Sequence, residues 1–140
     1  MSFSVQKKLD AFCSCCTSGT VFNWTNNQPG IGLAASGTGN IASFTAVNTG
    51  NAPVVATITV TPSFTNGGTT CTGAAQSFTI TVNPTPSVNA VANQTICNGS
   101  PSNTVVFGSN VSGTTFNWTN NNTSIGLGAS GTGDIASFTA

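Results

Sequence analysis

The cysteines are the residues of this 140-residue chain best suited to metal or redox chemistry. Cys13, Cys15 and Cys16 form a C-x-C-C cluster near the amino terminus, whereas Cys71 and Cys97 stand alone further along. A structural zinc site ordinarily takes four ligands, and neither a histidine nor a second cysteine pair accompanies the cluster. The cluster is therefore a weak candidate, and we predict no bound metal.

Hydroxyl and carboxyl groups are the next candidates for chemistry. A serine or threonine nucleophile needs a neighbouring base, but the chain has no histidine or glutamate, and its lysines are confined to positions 7 and 8. Glycoside hydrolysis and calcium binding ordinarily need two or more carboxylates, yet Asp134 is the single acid after residue 10. The Gly-Thr-Gly triplets at 37–39 and 131–133 lack the third glycine of a dinucleotide-binding loop and predict tight turns. We predict a protein that is not an enzyme and has no cofactor.

Low charge narrows the choice of partners. Charged residues make up 3% of the chain, against about 25% in an average soluble domain. Binding of nucleic acid requires Lys and Arg to neutralise phosphates, and acidic membrane surfaces attract basic clusters. We therefore predict neither a nucleic-acid partner nor membrane insertion. The first residues also lack the continuous apolar stretch of a secretion signal.

The strands and loops that would position the candidate residues come from a sequence segment that occurs twice. The segment "SGTVFNWTNNQPGIGLAASGTGNIASFTA" at 18–46 returns at 112–140 with six of its 29 positions changed. The offset of 94 residues is close to the size of one immunoglobulin-like domain, about 100 residues. The sequence therefore predicts three parts. Residues 1–17 form a non-repeat leader, which we expect to be poorly ordered. Residues 18–84 form a repeat that lacks its opening strands, and residues 85–140 form the opening portion of a second repeat.

Alternation of apolar and polar residues predicts an all-β chain. In "VVATITVTP" at 54–62 and "SFTITV" at 77–82, apolar residues occupy every second position, as a half-buried antiparallel strand requires. The "NGG" at 66–68 predicts a reversal between strands, because tight hairpin turns need positive φ angles. The prolines of "NPTP" at 83–86 end the second strand and predict a linker.

Four further segments complete the predicted strands. "FNWT" and "IASFTA" recur in both copies, with Ala42, Phe44 and Ala46 expected on one face, and "PSVNAVANQTIC" and "SNTVVFGS" are each predicted to form a short strand. The residues of the predicted core are Phe22, Trp24, Phe44, Ile58, Val60, Phe78, Ile80, Phe116 and Trp118. Exposed tryptophans could stack on sugars, but the Phe-x-Trp alternation favours burial of Trp24 and Trp118. Short strands at turn-separated intervals predict two packed sheets.

Several phrases of the sequence, in their order, resemble the PKD-like repeats of very large cell-surface proteins of Bacteroidota. They include "FNWTNN", "ATITVTPSFTNGGTTCTG", "FTITVNPTPSVNA" and "ANQTICNG", and the resemblance extends from about residue 18 to residue 140. It implies an immunoglobulin-like, PKD-like antiparallel β-sandwich used as a spacer or adhesive module, with one nearly complete repeat and part of a second. The segment "WTNNQPG" lacks both acids of the "WDFGDG" phrase common in PKD domains, so we expect no acid-dependent role there.

An exterior location would favour disulfides, because extracellular compartments are oxidising. Pairing of Cys71 with Cys97 in one chain is one possibility, although it would cross the boundary between repeats. Shifted by the repeat length, Cys71 has no counterpart within the 140 residues, and Cys97 corresponds to Phe3. We therefore expect this chain to be part of a longer protein.

These observations predict a non-enzymatic structural or spacer repeat of a bacterial cell-surface or secreted adhesin-like protein, located outside the cell or on its surface. Its partners would be neighbouring repeats of the same polypeptide, or other copies through homotypic strand exchange. A carbohydrate- or protein-binding module is the first alternative. A self-assembling, strand-exchanged fibre subunit is the second.

Overall fold

The computed structural model describes residues 19–140, so the predicted leader over 1–17 and its C-x-C-C cluster lie outside the described residues. The described chain is all-β, as predicted, with antiparallel strands and two single turns of 3-10 helix. It divides into two compact units, with the boundary between Pro84 and Thr85. Within residues 19–140, no helical segment has the length and apolar character needed to span a membrane.

The first unit is built on one five-stranded antiparallel sheet. Its strands are β1 (Thr20–Asn26), β2 (Ser36–Thr38), β3 (Val54–Asn66), β4 (Thr69–Thr72) and β5 (Gln76–Val82). They follow the order β2-β1-β3-β4, and β5 also pairs with β3. β3 is therefore the central strand, with β1 along one edge and both β5 and β4 along the other.

β3 shows the predicted alternation through its middle. Ala56, Ile58 and Val60 are buried, whereas the threonines between them remain partly exposed. Val60 lies opposite Trp24 on β1, and Ile58 lies opposite Phe78 on β5. Residues directly opposite each other on antiparallel strands share a face of the sheet. The three strands thus present one continuous apolar face.

A two-residue turn joins β3 to β4. Asn66 pairs with Thr69, and the two residues between them, Gly67 and Gly68, have φ angles of 56° and 80°. Two successive positive φ angles are the requirement of a type I′ turn, which glycine meets without steric cost. The reversal predicted from "NGG" is confirmed.

The apolar face of this sheet is covered by the chain between β1 and β3. Ile31, Leu33 and Ile41 in that connection are buried against the strands. The complete buried cluster is Trp24, Ile31, Leu33, Ile41, Ala56, Ile58, Val60 and Val82, and the partly buried residues packed against it are Phe22, Phe44, Val54, Phe78 and Ile80. Within the described residues, this unit therefore builds its core between one sheet and a connecting loop.

Residues 41–46 do not form the predicted strand. Ile41 is buried and Phe44 is half-buried, but Ala42 and Ala46, which the sequence placed on the inward face with Phe44, are exposed. That assignment was wrong because a period of two holds only for an extended strand, and this segment belongs to the irregular connection over the core.

The second unit has a smaller sheet. It comprises β6 (Asn117–Thr119) and β7 (Ser130–Thr132), with a 3-10 turn at Thr123–Ile125 between them. The two predicted opening strands are replaced by isolated bridges, which join Val88 to Ser109, Pro101 to Thr139 and Val105 to Ile135.

Side-chain amides take the place of a backbone ladder in the opening segment. The Gln94 side chain donates to the carbonyl of Asn103 at 3.1 Å and accepts the amide of the same residue at 2.8 Å. The side-chain oxygen of Asn110 accepts both the amide and the hydroxyl of Ser87, at 2.9 and 3.0 Å. Because polar side chains compete with the backbone for its hydrogen bonds, the prediction of two regular strands here was wrong.

The first unit depends on β3, so removing side-chain volume from its buried face should destabilise that unit. We expect Ile58→Ala to lower its free energy of unfolding by about 2–5 kcal/mol, because Ile58 is fully buried and the substitution leaves a cavity. Urea unfolding followed by Trp24 fluorescence, in a Trp118→Phe background, measures the change. The matched control is Val55→Ala, since Val55 is 51% exposed and its loss should change stability by less than about 0.5 kcal/mol. Equal effects of the two substitutions would contradict the assignment of the core.

Candidate functional site

The 29-residue repeat builds the same hairpin in both units. Trp24 lies opposite Gly37 where β1 pairs with β2, and Trp118 lies opposite Gly131 where β6 pairs with β7. The register of the second pairing is that of the first moved by 94 residues, and the 3-10 turns move by the same amount. The repeated sequence therefore specifies a repeated local structure.

A buried asparagine organises the loop of the first hairpin. Asn26 is 6% exposed, and its side-chain nitrogen donates to the carbonyls of Leu33 and Ala34 at 3.0 and 3.3 Å. Its side-chain oxygen accepts the amide of Gln28 at 2.9 Å. A buried polar group left without partners costs about 1–3 kcal/mol. Asn26 thus holds the loop in the one path that supplies these partners.

Asn120 makes two of the three corresponding bonds in the second unit. Its nitrogen donates to the carbonyl of Leu127 at 2.9 Å, and its oxygen accepts the amide of Asn122 at 2.9 Å. Three of the six sequence differences between the copies lie at the 3-10 turn that follows the asparagine, at positions 28–30 in the first copy and 122–124 in the second. In both copies the asparagine before the turn bonds to the backbone of the loop, and the turn keeps its 3-10 form. Sequence analysis missed both asparagines, although their identity in the two copies was a usable signal.

Each tryptophan packs directly on the glycine across from it. A β-carbon added to Gly37 would collide with the indole of Trp24, and one added to Gly131 would collide with that of Trp118. Glycine in a strand often marks such a close approach. In both tryptophans Nε1 is buried without a hydrogen-bond partner among the described residues. The cost of this unpaired donor is offset by the large apolar area that each ring buries.

The two hairpins differ in how far they are covered. Ile31 is 1% exposed in the first unit, but Ile125, at the same place in the repeat, is 42% exposed. Trp118 and Leu127 are half-buried, whereas their counterparts in the first unit are buried. In the first unit β3 lies beside β1, while the sheet described in the second unit contains β6 and β7 alone. We call Trp118, Ile125 and Leu127, together with the outer edge of β6, the open face.

Hydrogen bonds connect the opening segment of the second unit, at Ser102, to residues 137 and 138. The Ser102 hydroxyl oxygen accepts the amide of Phe138 at 3.0 Å, and the Ser102 carbonyl accepts the hydroxyl of Ser137 at 2.5 Å. Asp134, which is the one carboxylate side chain within residues 19–140, accepts the amide of Phe107 at 2.9 Å. These groups hold backbone in place. A single serine in a serine-rich chain gave no sequence signal for this role.

The predicted aromatic residues lie in three settings. Trp24 is 8% exposed within the core, so its ring is not presented to a sugar. Phe22 is partly buried against that core. Phe116 and Trp118 are half-buried in the second unit, where the ring of Phe116 stacks on that of Phe107 with centroids 5.6 Å apart.

The two described cysteines are exposed and free. Cys71 lies on β4 of the first unit, and Cys97 lies in the second unit beside a mostly polar cleft of about 360 Å³ lined by residues between 93 and 103. They belong to different units, and their pairing stays a prediction. Within the part of the chain that the structure describes, no three His, Cys, Asp or Glu side chains come together as a metal-binding group.

Comparisons with known proteins give no relative. No family model, no curated protein and no solved structure matches the chain. The resemblance to PKD-like repeats therefore stays a prediction.

The contact between tryptophan and glycine should be intolerant of a methyl group. We expect Gly37→Ala to destabilise the first unit by about 1–3 kcal/mol, because the new β-carbon would force the Trp24 indole out of the core. Urea unfolding of the Trp118→Phe chain, monitored by Trp24 fluorescence, measures this. Gly30→Ala is the matched control, since a β-carbon there meets no atom within 4 Å. The proposed contact is wrong if Gly37→Ala is as mild as Gly30→Ala.

Proposed function

We propose that this chain is a load-bearing spacer: tandem β-modules that form a structural part of a bacterial cell-surface or secreted adhesin-like protein. In this proposal each module belongs to the immunoglobulin-like, PKD-like class of β-sandwich. Its function is mechanical, because each module adds length between an anchor and a distant binding domain.

The path of the chain through the first unit carries the proposal. Thr20 begins β1 and pairs with Phe64 near one end of β3, whereas Val82 ends β5 and pairs with Val54 at the other end. These two positions on β3 are ten residues apart, about 33 Å at the usual rise of a strand. The chain thus enters and leaves the strand ladder at opposite ends of its central strand.

This connectivity decides how an external force acts. A force that pulls the two ends of the unit apart acts along the strands and loads the seven residue pairs of β1 with β3 and the seven pairs of β3 with β5. Those pairs must yield together in shear. If the same force acted at one end of two paired strands, the hydrogen bonds would break one after another. This connectivity supports the proposal, because a spacer must resist extension.

Repetition and composition support the same proposal. The hairpin recurs with one register at a spacing of 94 residues, which is how a chain gains length from a single kind of module. Ser, Thr and Asn supply most of the polar surface, while charged residues are 3% of the chain. The alternative of a sugar-binding module has less support, because the Trp24 ring is buried in the core and cannot stack on a sugar.

Force spectroscopy of the first unit tests the spacer function. The experiment uses two variants of the full chain in which the five native cysteines are replaced by serine. In each variant two new cysteines at exposed positions serve as attachment points for the pulling force. Val21→Cys with Thr81→Cys pulls at opposite ends of β3, and Val21→Cys with Thr65→Cys pulls at one end. We expect the first pair to unfold at several times the force of the second, because it loads the ladder in shear.

The second variant serves as the matched control, since it uses the same module and the same first anchor. Similar rupture forces for the two geometries would contradict a load-bearing role. Specific retention of the intact chain on a glycan array, with no mechanical difference between the variants, would favour the binding-module alternative.

A further inference from the structure

The chain contains two asparagine–glycine pairs that the proposed function does not use. They are Asn66–Gly67, at the turn between β3 and β4, and Asn98–Gly99, in the second unit. The side-chain carbonyl carbon of an asparagine can be attacked by the backbone nitrogen of the next residue. Glycine permits this attack best, because it has no side chain to shield that nitrogen. Both pairs are therefore chemically able to lose ammonia, and their surroundings decide how fast each one reacts.

The surroundings of Asn66 leave the reacting atoms accessible. Asn66, Gly67 and Gly68 are all exposed, and a β-carbon added to either glycine would meet no atom within 4 Å. The Gly67 amide has no hydrogen-bond partner among the described residues, and neither has the Asn66 side chain. No hydrogen bond must therefore break before the Gly67 nitrogen approaches the side chain of Asn66.

The second pair is held by its neighbours. The Gly99 amide donates to the carbonyl of Ala140 at 2.7 Å, and the Ser100 amide donates to the Cys97 carbonyl at 3.0 Å across the turn. A nitrogen that donates a hydrogen bond must give up that bond before it can attack a carbonyl carbon. The Asn98–Gly99 pair thus has the same chemistry as the first pair and a more restrained backbone.

We propose that Asn66 is a site of spontaneous deamidation, a covalent modification that needs no enzyme and takes water as its co-reactant. The Gly67 nitrogen forms a bond to the side-chain carbonyl carbon of Asn66. The bond from that carbon to the side-chain nitrogen breaks, and ammonia leaves with the proton of the Gly67 amide. Water then opens the resulting succinimide ring at one of its two carbonyl carbons. One opening gives aspartate, and the other gives isoaspartate, in which the main chain passes through the former side chain.

The modification would change both charge and backbone at the turn. Either product adds a carboxylate to a chain whose formal net charge is zero. Isoaspartate also lengthens the main chain by one carbon atom at the Asn66–Thr69 pair, which closes the hairpin of β3 and β4. Hairpin register depends on the length of the turn. We therefore expect the pairing of β4 with β3 to weaken.

This effect should stay local to the hairpin. β4 is exposed throughout and contributes no residue to the buried cluster of the first unit. The pairings of β3 with β1 and with β5 involve other residues of β3 than Asn66. The inference is independent of the spacer function, since neither of those two pairings has to change when the turn is modified.

Ageing of the full chain at mildly alkaline pH, followed by peptide mapping, tests the proposal. Chymotrypsin cleaves after aromatic residues such as Phe64 and Phe78, which separates Asn66 from Asn98, and electron-transfer fragmentation distinguishes isoaspartate from aspartate. We expect deamidation at position 66 to be about two- to tenfold faster than at position 98, because the Gly99 amide must first break its hydrogen bond. Both rates should rise in proportion to the hydroxide concentration, since the deprotonated nitrogen is the attacking species.

The same measurement on the chain unfolded in guanidinium chloride is the control for intrinsic reactivity. The two pairs should then react at similar rates, because the hydrogen bond of Gly99 is lost. Asn66→Gln is the matched variant, since its longer side chain keeps the amide but does not readily form the succinimide ring. It should abolish the reaction at position 66 and leave the rate at Asn98 unchanged. The proposal is overturned if position 66 of the folded chain reacts no faster than position 98, or if the difference persists in the unfolded chain.

Hydrogen exchange of the aged chain tests the expected effect on the hairpin. Isoaspartate at position 66 should speed amide exchange in β4 and leave exchange in the pairing of β1 with β3 unchanged, because β4 lies outside the core. Aged Asn66→Gln should show no change in β4. Unchanged exchange in the modified chain, or the same increase in aged Asn66→Gln, would overturn the loosening of β4.

Discussion

The packing of the tryptophan hairpin against the apolar face of β3 is the interaction on which the rest of this structure depends. Trp24, Ile58 and Val60 meet there, and the connection between β1 and β3 packs over them with Ile31, Leu33 and Ile41. The buried asparagine and the glycine beneath the indole are requirements of this contact, since they fix the loop and let the ring approach the strand. Where β3 is present, the hairpin is covered, and where it is absent, the same hairpin stays partly open.

The same strand links packing to the proposed function. β3 pairs with β1, β4 and β5, and β1 begins near one end of β3 while β5 ends near the other. In the proposed function, the mechanical resistance of the module would therefore have the same origin as its stability. The open face fits the same description, because the sheet described in the second unit contains β6 and β7 and no counterpart of β3.

Regular strands and tight turns were predictable from the sequence because they follow from local rules. Alternation located β3 and β5, "NGG" located the turn to β4, and the repeat length located the second hairpin. Failures occurred where non-local packing or side-chain bonding decides the structure. Ile41 turns inward because a loop covers the core, and Gln94 replaces a backbone ladder with its own amide. The burial of Asn26 depends on carbonyls seven and eight residues away, which no periodicity reveals.

Amide hydrogen exchange at one matched pair of residues tests the central claim most directly. The amide of Gly39 donates to the Phe22 carbonyl at 2.8 Å, and the amide of Gly133 donates to the Phe116 carbonyl at 2.9 Å. The two bonds are the same in sequence and geometry, and they differ in whether β3 covers the hairpin. We predict that Gly39 exchanges at least about ten times more slowly than Gly133, because its opening requires loss of the packing on β3. Equal protection of the two amides would contradict the account.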